Sequence, residues 1–319
     1  VCSLCPHCCR LNEGDAGICN IRRCSNGAMV LPYYGEISAL NIDPIEKKPL
    51  YHFHPGGSIL SVGFLGCNFR CPFCQNYEIS QGTNRPARHI PPSDLVDLAV
   101  ESRSLGIAYT YNEPAIHFEY VIAAAALARH KGLCNVLVTN GHLNPRPAVD
   151  LLDLMDGVNV DLKFFEEDSN RRVSRCGLQP ILDSIRLSHD LGVWVEVTTL
   201  VIPGINDTDE ELSKIAEFVA SVGTDIPWHI SQFYPAWKMK HLPVTPHETL
   251  QRAGKLGRAA GLRYVYEGNV PGGGGESTFC YGCGELLIDR YGFVVRANRI
   301  ADGKCPDCGV EIDGVGMSA

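Results

Sequence analysis

Cys67, Cys71 and Cys74 stand in the segment SILSVGFLGCNFRCPFCQNYEIS (58–80), spaced C-x3-C-x2-C directly after an apolar run, Ile59 to Leu65, and Gly66. Iron–sulfur clusters are held by cysteine thiolates, and one short loop with this spacing can wrap three corners of a cuboidal [4Fe–4S] cluster. Three thiolates leave one iron with an open position, which is where a reactant can bind. A zinc half-site is the simpler alternative, since C-x2-C also occurs in zinc ribbons. It would need a fourth ligand in register, whereas this triad follows a strand-like run and a glycine.

The chain has fifteen cysteines, and they fall mostly into three groups. Clustered cysteines in a chain that reads as cytosolic point to metal rather than to disulfides. In the first group Cys2, Cys5, Cys9 and Cys19 can supply four thiolates from turn-rich backbone, enough for tetrahedral zinc or for a second iron–sulfur cluster, with Cys8 and Cys24 as spares. In the last group Cys280 and Cys283 form one C-x2-C and Cys305 and Cys308 another, around a plausible strand pair in LLIDRYGFVV. Two such knuckles around a small sheet are a zinc-ribbon pattern. Structural Zn2+ is preferred there over a rubredoxin-like iron, and the metal would supply the folding energy that so short a segment lacks. Cys134, in an apolar run, reads as a small buried hydrophobe, and His52 and His54 read as ordinary loop histidines.

Polar residues also gather where apolar runs end. Asn112 and Glu113 follow Tyr109 to Tyr111, Thr139 and Asn140 close the next run, Asp161 and Lys163 the next, and Pro203 and Gly204 follow Ile202. A carboxylate such as Glu113 can accept charge-assisted hydrogen bonds from a bound ammonium. Asp161 and Lys163 are two residues apart and so point the same way on a strand. Any one of these could be a turn or a helix cap; four in succession at one edge favour a ligand site.

The elements that would hold them alternate. After Ile59 to Leu65 come strand-like runs at Gly106 to Tyr111, Leu133 to Thr139, Gly157 to Leu162, Val193 to Ile202 and Trp228 to Phe233. Helical stretches lie between them at Ser93 to Leu105, Glu113 to Lys131, Pro145 to Leu152, Pro180 to Leu191 and Thr208 to Val222, with Ser93 and Thr208 placed as N-caps. Six βα units imply a parallel sheet, and chemistry at the strand ends fits an α/β partial (β/α)6 TIM-type barrel better than a doubly wound open sheet. A Cys-rich N-terminal segment (1–57) precedes the barrel (58–267), and the zinc-ribbon-like module (268–319) follows a run of four glycines, Gly272 to Gly275, read as a flexible connector. Within the first segment, MVLPYYGEISALNID suggests a hairpin turning at Tyr34-Gly35.

Composition narrows the function classes. The 319 residues are 45% hydrophobic, enough for a sizeable core, and the net charge of −8 argues against general nucleic-acid binding. The longest purely apolar run, Val121 to Ala128, is too short to span a bilayer, and no leader pattern is present, so a cytoplasmic protein is expected.

The cysteine triad, with Phe73 just before its last member, resembles the signature of the radical S-adenosylmethionine (SAM) superfamily. The strings CSLCPHCC followed by GxC, DPIEKKPLYHF, GCNFRCPFCQN, YTYNEP, VDLK, IPGIND and GNVPG resemble, over nearly the whole chain, the AmmeMemoRadiSam system radical SAM enzyme group, which is similar to pyruvate formate-lyase activating enzymes. The resemblance implies that Cys67, Cys71 and Cys74 bind the cluster and that SAM chelates its open iron. It also implies that Asn112 and Glu113 receive the SAM amino group, and that Asp161 and Lys163 lie near the SAM carboxylate. Cleavage of SAM would give a 5′-deoxyadenosyl radical that abstracts hydrogen. The partners implied are an electron donor such as flavodoxin or ferredoxin and a protein substrate. The alternative from another class is an iron–sulfur and zinc electron-transfer or binding module that does not cleave SAM.

Overall fold

The computed structural model describes residues 1–270 and 272–318; Pro271, within the GNVPG string, and Ala319 lie outside the described residues. Its centre is an eight-stranded sheet. In chain order the strands are β1 (Ala39–Pro44), β2 (Ser58–Gly63), β3 (Gly106–Tyr109), β4 (Cys134–Thr139), β5 (Gly157–Asp161), β6 (Trp194–Val201), β7 (Trp228–Gln232) and β8 (Val265–Gly268). Their spatial order follows the sequence, β8 to β1 without a crossing, and β2 to β8 are all parallel. Runs as apolar as Ile59 to Val62 or Gly106 to Tyr109 are buried on both faces, as strands covered by helices must be.

Among the described residues six helices of eight residues or more connect the parallel strands: α1 (Pro92–Glu101), α2 (Phe118–His130), α3 (Pro145–Leu152), α4 (Gln179–Asp190), α5 (Asp209–Val222) and α6 (His247–Ala259). Together with β2 to β7 they make the six βα units of a partial barrel, and β8 adds a seventh parallel strand. Thr208 caps α5, its hydroxyl accepting from the Glu211 amide. Ser93 does not cap α1. That helix begins after Pro91 with Pro92 at its first position, where the fixed φ and missing N–H of proline cost nothing, so Ser93 already lies inside. A single 3-10 stretch, Pro114–His117, separates Glu113 from α2.

No hairpin turns at Tyr34-Gly35. Ala28–Val30 pairs backwards with Arg23–Ser25 across Asn26-Gly27, where both residues have positive φ, as such tight turns require. The second half of the expected hairpin, β1, instead runs antiparallel to β2 and covers that edge of the sheet.

The C-terminal strands Leu286–Tyr291 and Val294–Asn298 form the expected antiparallel pair, joined by Thr278–Phe279. They have a small core of their own, including Leu287, Ile288, Ile300 and Ile312, and share it with Tyr51, Tyr264 and Tyr266 of the preceding chain. Gly272 to Gly275 is therefore no loose tether: Glu267 donates its amide to the Gly275 carbonyl. Buried Arg290 reaches across to Glu46 and donates to the Tyr51 carbonyl at 2.7 Å. His52, wholly buried, is likewise a clasp, with one ring nitrogen 2.7 Å from the Asp313 carbonyl.

Candidate active site

β2 delivers Phe64, Leu65 and Gly66 to the C-terminal edge of the sheet. Gly66 has φ +81°, and a Cβ there would lie 2.5 Å from the Cys19 carbonyl oxygen and 2.7 Å from Ile21 Cγ2, so only glycine fits. Asn112 fixes the same turn: its carbonyl accepts from the Phe64 amide at 3.1 Å and its amide donates to the Gly66 carbonyl at 2.6 Å. Its side chain is thus already engaged in holding the loop that carries the cysteines.

Cys67, Cys71 and Cys74 line one cavity of about 250 Å3, together with Phe73, Asn112, Glu113, Asn140, Asp161 and Lys163. Cys71 Sγ lies 3.3 Å from the Ser174 hydroxyl and Cys74 Sγ 3.7 Å from that of Ser80. Burial pushes the Cys71 thiol up to about 11 and the Cys67 thiol well above its ordinary value, so a bound metal must displace the protons. Among the described residues, the only set of three or more His, Cys, Asp or Glu ligand atoms within 4.8 Å of one another is that of Cys280, Cys283, Cys305 and Cys308. The triad is therefore spread wider than a single ion needs, as sulfurs that each meet a different iron would be.

Glu113 is 1% exposed and already accepts three hydrogen bonds: from the Ala115 amide at 3.1 Å, the Thr139 hydroxyl at 2.7 Å and the Asn140 amide at 2.7 Å. A carboxylate has about four acceptor positions, so one remains for a ligand. Burial pushes its pKa up to about 7, against the pull of those hydrogen bonds. Asp161 and Lys163 form an ion pair at 2.7 Å. Burial pulls the lysine down, but Asp161 and Cys71 outweigh it and hold the ammonium charged. Thr139 reaches the cavity only through Glu113. Pro203 and Gly204 are not among its lining residues; Gly204 sits in an exposed turn, its amide donating to Asp207.

Several lining residues were not among the expected site residues, although Gln75, Asn76, Tyr111 and Asn269 lie inside the strings quoted above. Thr198 and Leu200 face the cavity from β6 at strand period two, Ser231 from β7, and Gln75, Asn76, Tyr111 and Asn269 from loops. Tyr111 adopts φ +71°, a strained conformation for a bulky residue, held by its hydroxyl on Asp43. The Thr198 hydroxyl is buried without a hydrogen-bond partner, an unmet polar atom at a cavity wall that suits a polar ligand. Gln75, Ser231 and Asn269 also line a second cavity of about 490 Å3, walled by Tyr51, Tyr234, Tyr291 and Phe293.

At the C-terminal module Cys280 and Cys308 have sulfurs 3.6 Å apart, and Cys283 and Cys305 3.7 Å apart. Four thiolates on one tetrahedral ion at about 2.3 Å stand roughly 3.8 Å from one another. This donor set fits a single metal ion.

A sequence model of the radical SAM superfamily matches residues 62–219. The chain is 41% identical over 317 residues to an uncharacterised protein of Methanocaldococcus jannaschii, covering 98% of this chain and 94% of that one. It is 26% identical over 179 residues to the pyruvate formate-lyase-activating enzyme of Streptococcus mutans, covering 52% of this chain and 68% of the relative. A radical SAM methyltransferase from Sphaerobacter thermophilus shares the fold over 73% of this chain and 71% of its own, with TM-score 0.52 and 18% identity. No helix among the described residues is long and apolar enough to cross a membrane.

Proposed function

The chain belongs to the radical SAM superfamily, and we propose that it cleaves SAM at a [4Fe–4S] cluster on Cys67, Cys71 and Cys74 to abstract hydrogen from a protein substrate. One observation carries the reading: the three thiols, the Glu113 carboxylate, the Asp161–Lys163 pair and the partnerless Thr198 hydroxyl meet at a single cavity. When bound and reduced, such a cluster would supply the one electron needed to cleave the SAM sulfonium into methionine and a 5′-deoxyadenosyl radical.

The chain's own residues bind and orient. Glu113 offers its remaining acceptor position to the SAM ammonium, and Thr139 and the Asn140 amide fix the carboxylate's direction. Lys163, kept charged by Asp161, faces the SAM carboxylate. Buried Phe73, edge-on to Phe164, keeps water from the thiolates. The second cavity adjoins this one through Gln75, Ser231 and Asn269 and provides room for the group that gives up hydrogen. A protein substrate is preferred because the S. mutans relative is an activating enzyme for another enzyme. Flavodoxin or ferredoxin is the electron donor.

Anaerobic incubation of the cluster-loaded protein with SAM and dithionite should yield 5′-deoxyadenosine and methionine in equal amounts. A full cluster content without either product would sink the reading and favour an electron-transfer module. Deuterated cell extract, split into protein and small-molecule fractions, tests the substrate class. Deuterium reaching 5′-deoxyadenosine from the small-molecule fraction alone would overturn the protein preference.

A further inference from the structure

The N-terminal cysteines are gathered, but not as a single ion would gather them. Cys2, Cys5 and Cys19 are buried and Cys9 partly so, while Cys8 is exposed and Cys24 faces Glu13. The Cys2 amide donates to the Cys9 carbonyl at 2.9 Å, closing the loop that carries Cys5. A Cβ added to Gly17 would lie 3.6 Å from Cys9 Sγ and 3.7 Å from Cys19 Sγ, so the glycine keeps open a space between two thiols. Yet these four sulfurs form no set within 4.8 Å, unlike the C-terminal four, which do and two of whose edges match those around a tetrahedral ion. Thiolates that each meet a different iron stand wider apart, as the Cys67 triad does.

The position of this group is equally telling. Asn68, next to Cys67, lies with its side chain against the Cys5 thiol, accepts from the Asn140 amide at 2.9 Å and receives His7 on its carbonyl at 2.9 Å. The Cys19 carbonyl packs on Gly66. On the other side the segment meets solvent at Cys8, Arg10, Asn12 and Glu13.

We propose that Cys2, Cys5, Cys9 and Cys19 hold a second [4Fe–4S] cluster, set between the surface and the Cys67 loop, that relays electrons inward. An external one-electron donor of the flavodoxin class reduces the outer cluster. That cluster passes the same electron to the inner one and returns to its oxidised state, with no atom transferred. The cluster assignment stands apart from SAM cleavage; the relay rests on the function proposed above.

The test uses the full chain carrying Cys67→Ala, Cys71→Ala and Cys74→Ala together, reconstituted anaerobically with iron and sulfide. It should retain about four irons and four sulfides per chain, beside about one zinc, and show a [4Fe–4S] electron paramagnetic resonance signal after dithionite. Adding Cys5→Ser and Cys19→Ser should remove the iron and leave the zinc. Iron-free protein with a second zinc, or iron that survives the loss of Cys5 and Cys19, overturns the assignment. Should the triple variant not fold, the unmodified chain decides: about eight irons support a second cluster and about four overturn it. For the relay, Cys5→Ser with Cys19→Ser in the otherwise unmodified chain should lose flavodoxin-driven relative to dithionite-driven SAM cleavage. Equal slowing with both donors overturns it, and an unmodified chain that cleaves no SAM refutes the proposed function while leaving the iron count as evidence for the cluster.

Discussion

The Thr139 hydroxyl donates a 2.7 Å hydrogen bond to Glu113, fastening the ends of β3 and β4 through the carboxylate that faces the ligand cavity. Replacing Glu113 with alanine removes a charge-assisted contact worth about 1.5–3 kcal/mol, so SAM affinity should fall roughly ten- to a hundredfold. Equilibrium binding to the cluster-loaded variant, at unchanged iron content, checks it. An unaltered dissociation constant would reduce Glu113 to a helix-start residue.

The same group gives a pH dependence. With its pKa pushed up to about 7, Glu113 loses its charge as pH falls from about 8 to about 6, and SAM binding should weaken over that window. For folding the sign is the reverse. A carboxyl whose folded pKa exceeds its unfolded value of 4.5 contributes stability that is fully present below about pH 4.5 and is lost as pH rises through about 7. Glu113→Gln should flatten the binding profile; an identical slope in wild type and variant would assign the titration elsewhere.

Each of Cys67→Ala, Cys71→Ala and Cys74→Ala should abolish SAM cleavage, because three thiolates leave no redundancy at an open-site cluster. Product analysis for 5′-deoxyadenosine is the readout, and near-normal formation in any one variant contradicts the ligand assignment.

Gly66→Ala tests the seam between the cysteine groups without touching a thiol. The positive φ alone costs an alanine about 1–2 kcal/mol, and its methyl would meet the Cys19 carbonyl. Iron per chain should drop after reconstitution. Full iron content would mean that the loop and the N-terminal segment can part without loss.

Arg290→Ala leaves Glu46 buried and unpaired, which typically costs about 3–5 kcal/mol. The local consequence should be faster amide hydrogen exchange over Leu286–Tyr291 and Val294–Asn298, with the exchange of β3 to β5 unchanged. Protection equal to wild type would show that the shared tyrosine core alone docks the module.

The barrel was legible because β2 to β7 are nearly continuous apolar runs with helical stretches between them, a pattern that only a helix-covered parallel sheet explains. The cysteine triad was legible from spacing. β1 was harder, since Leu40 and Ile42 on an edge strand with one exposed face read equally well as half of a local hairpin. Thr198 and Ser231 gave no warning because threonine and serine in a strand are ordinary; only the sheet register turns them towards the cavity. Glu46 and Arg290 were hidden by 244 residues of separation, a distance at which no local pattern speaks. The wide spacing of the N-terminal thiols is a matter of angstroms, which residue counts cannot supply.

Because every strand of the sheet pairs with its neighbour in sequence, the barrel can form one neighbouring βα unit at a time as the chain leaves the ribosome. The two ends cannot. Ser3 must find Asn144 across 141 residues, and Arg290 must find Glu46 across the greater span. Closing such loops is slow, so both cysteine-rich ends fasten onto a sheet that already exists. Any metal taken up by the cysteines of either end would then be delivered late in biogenesis, to a barrel already formed.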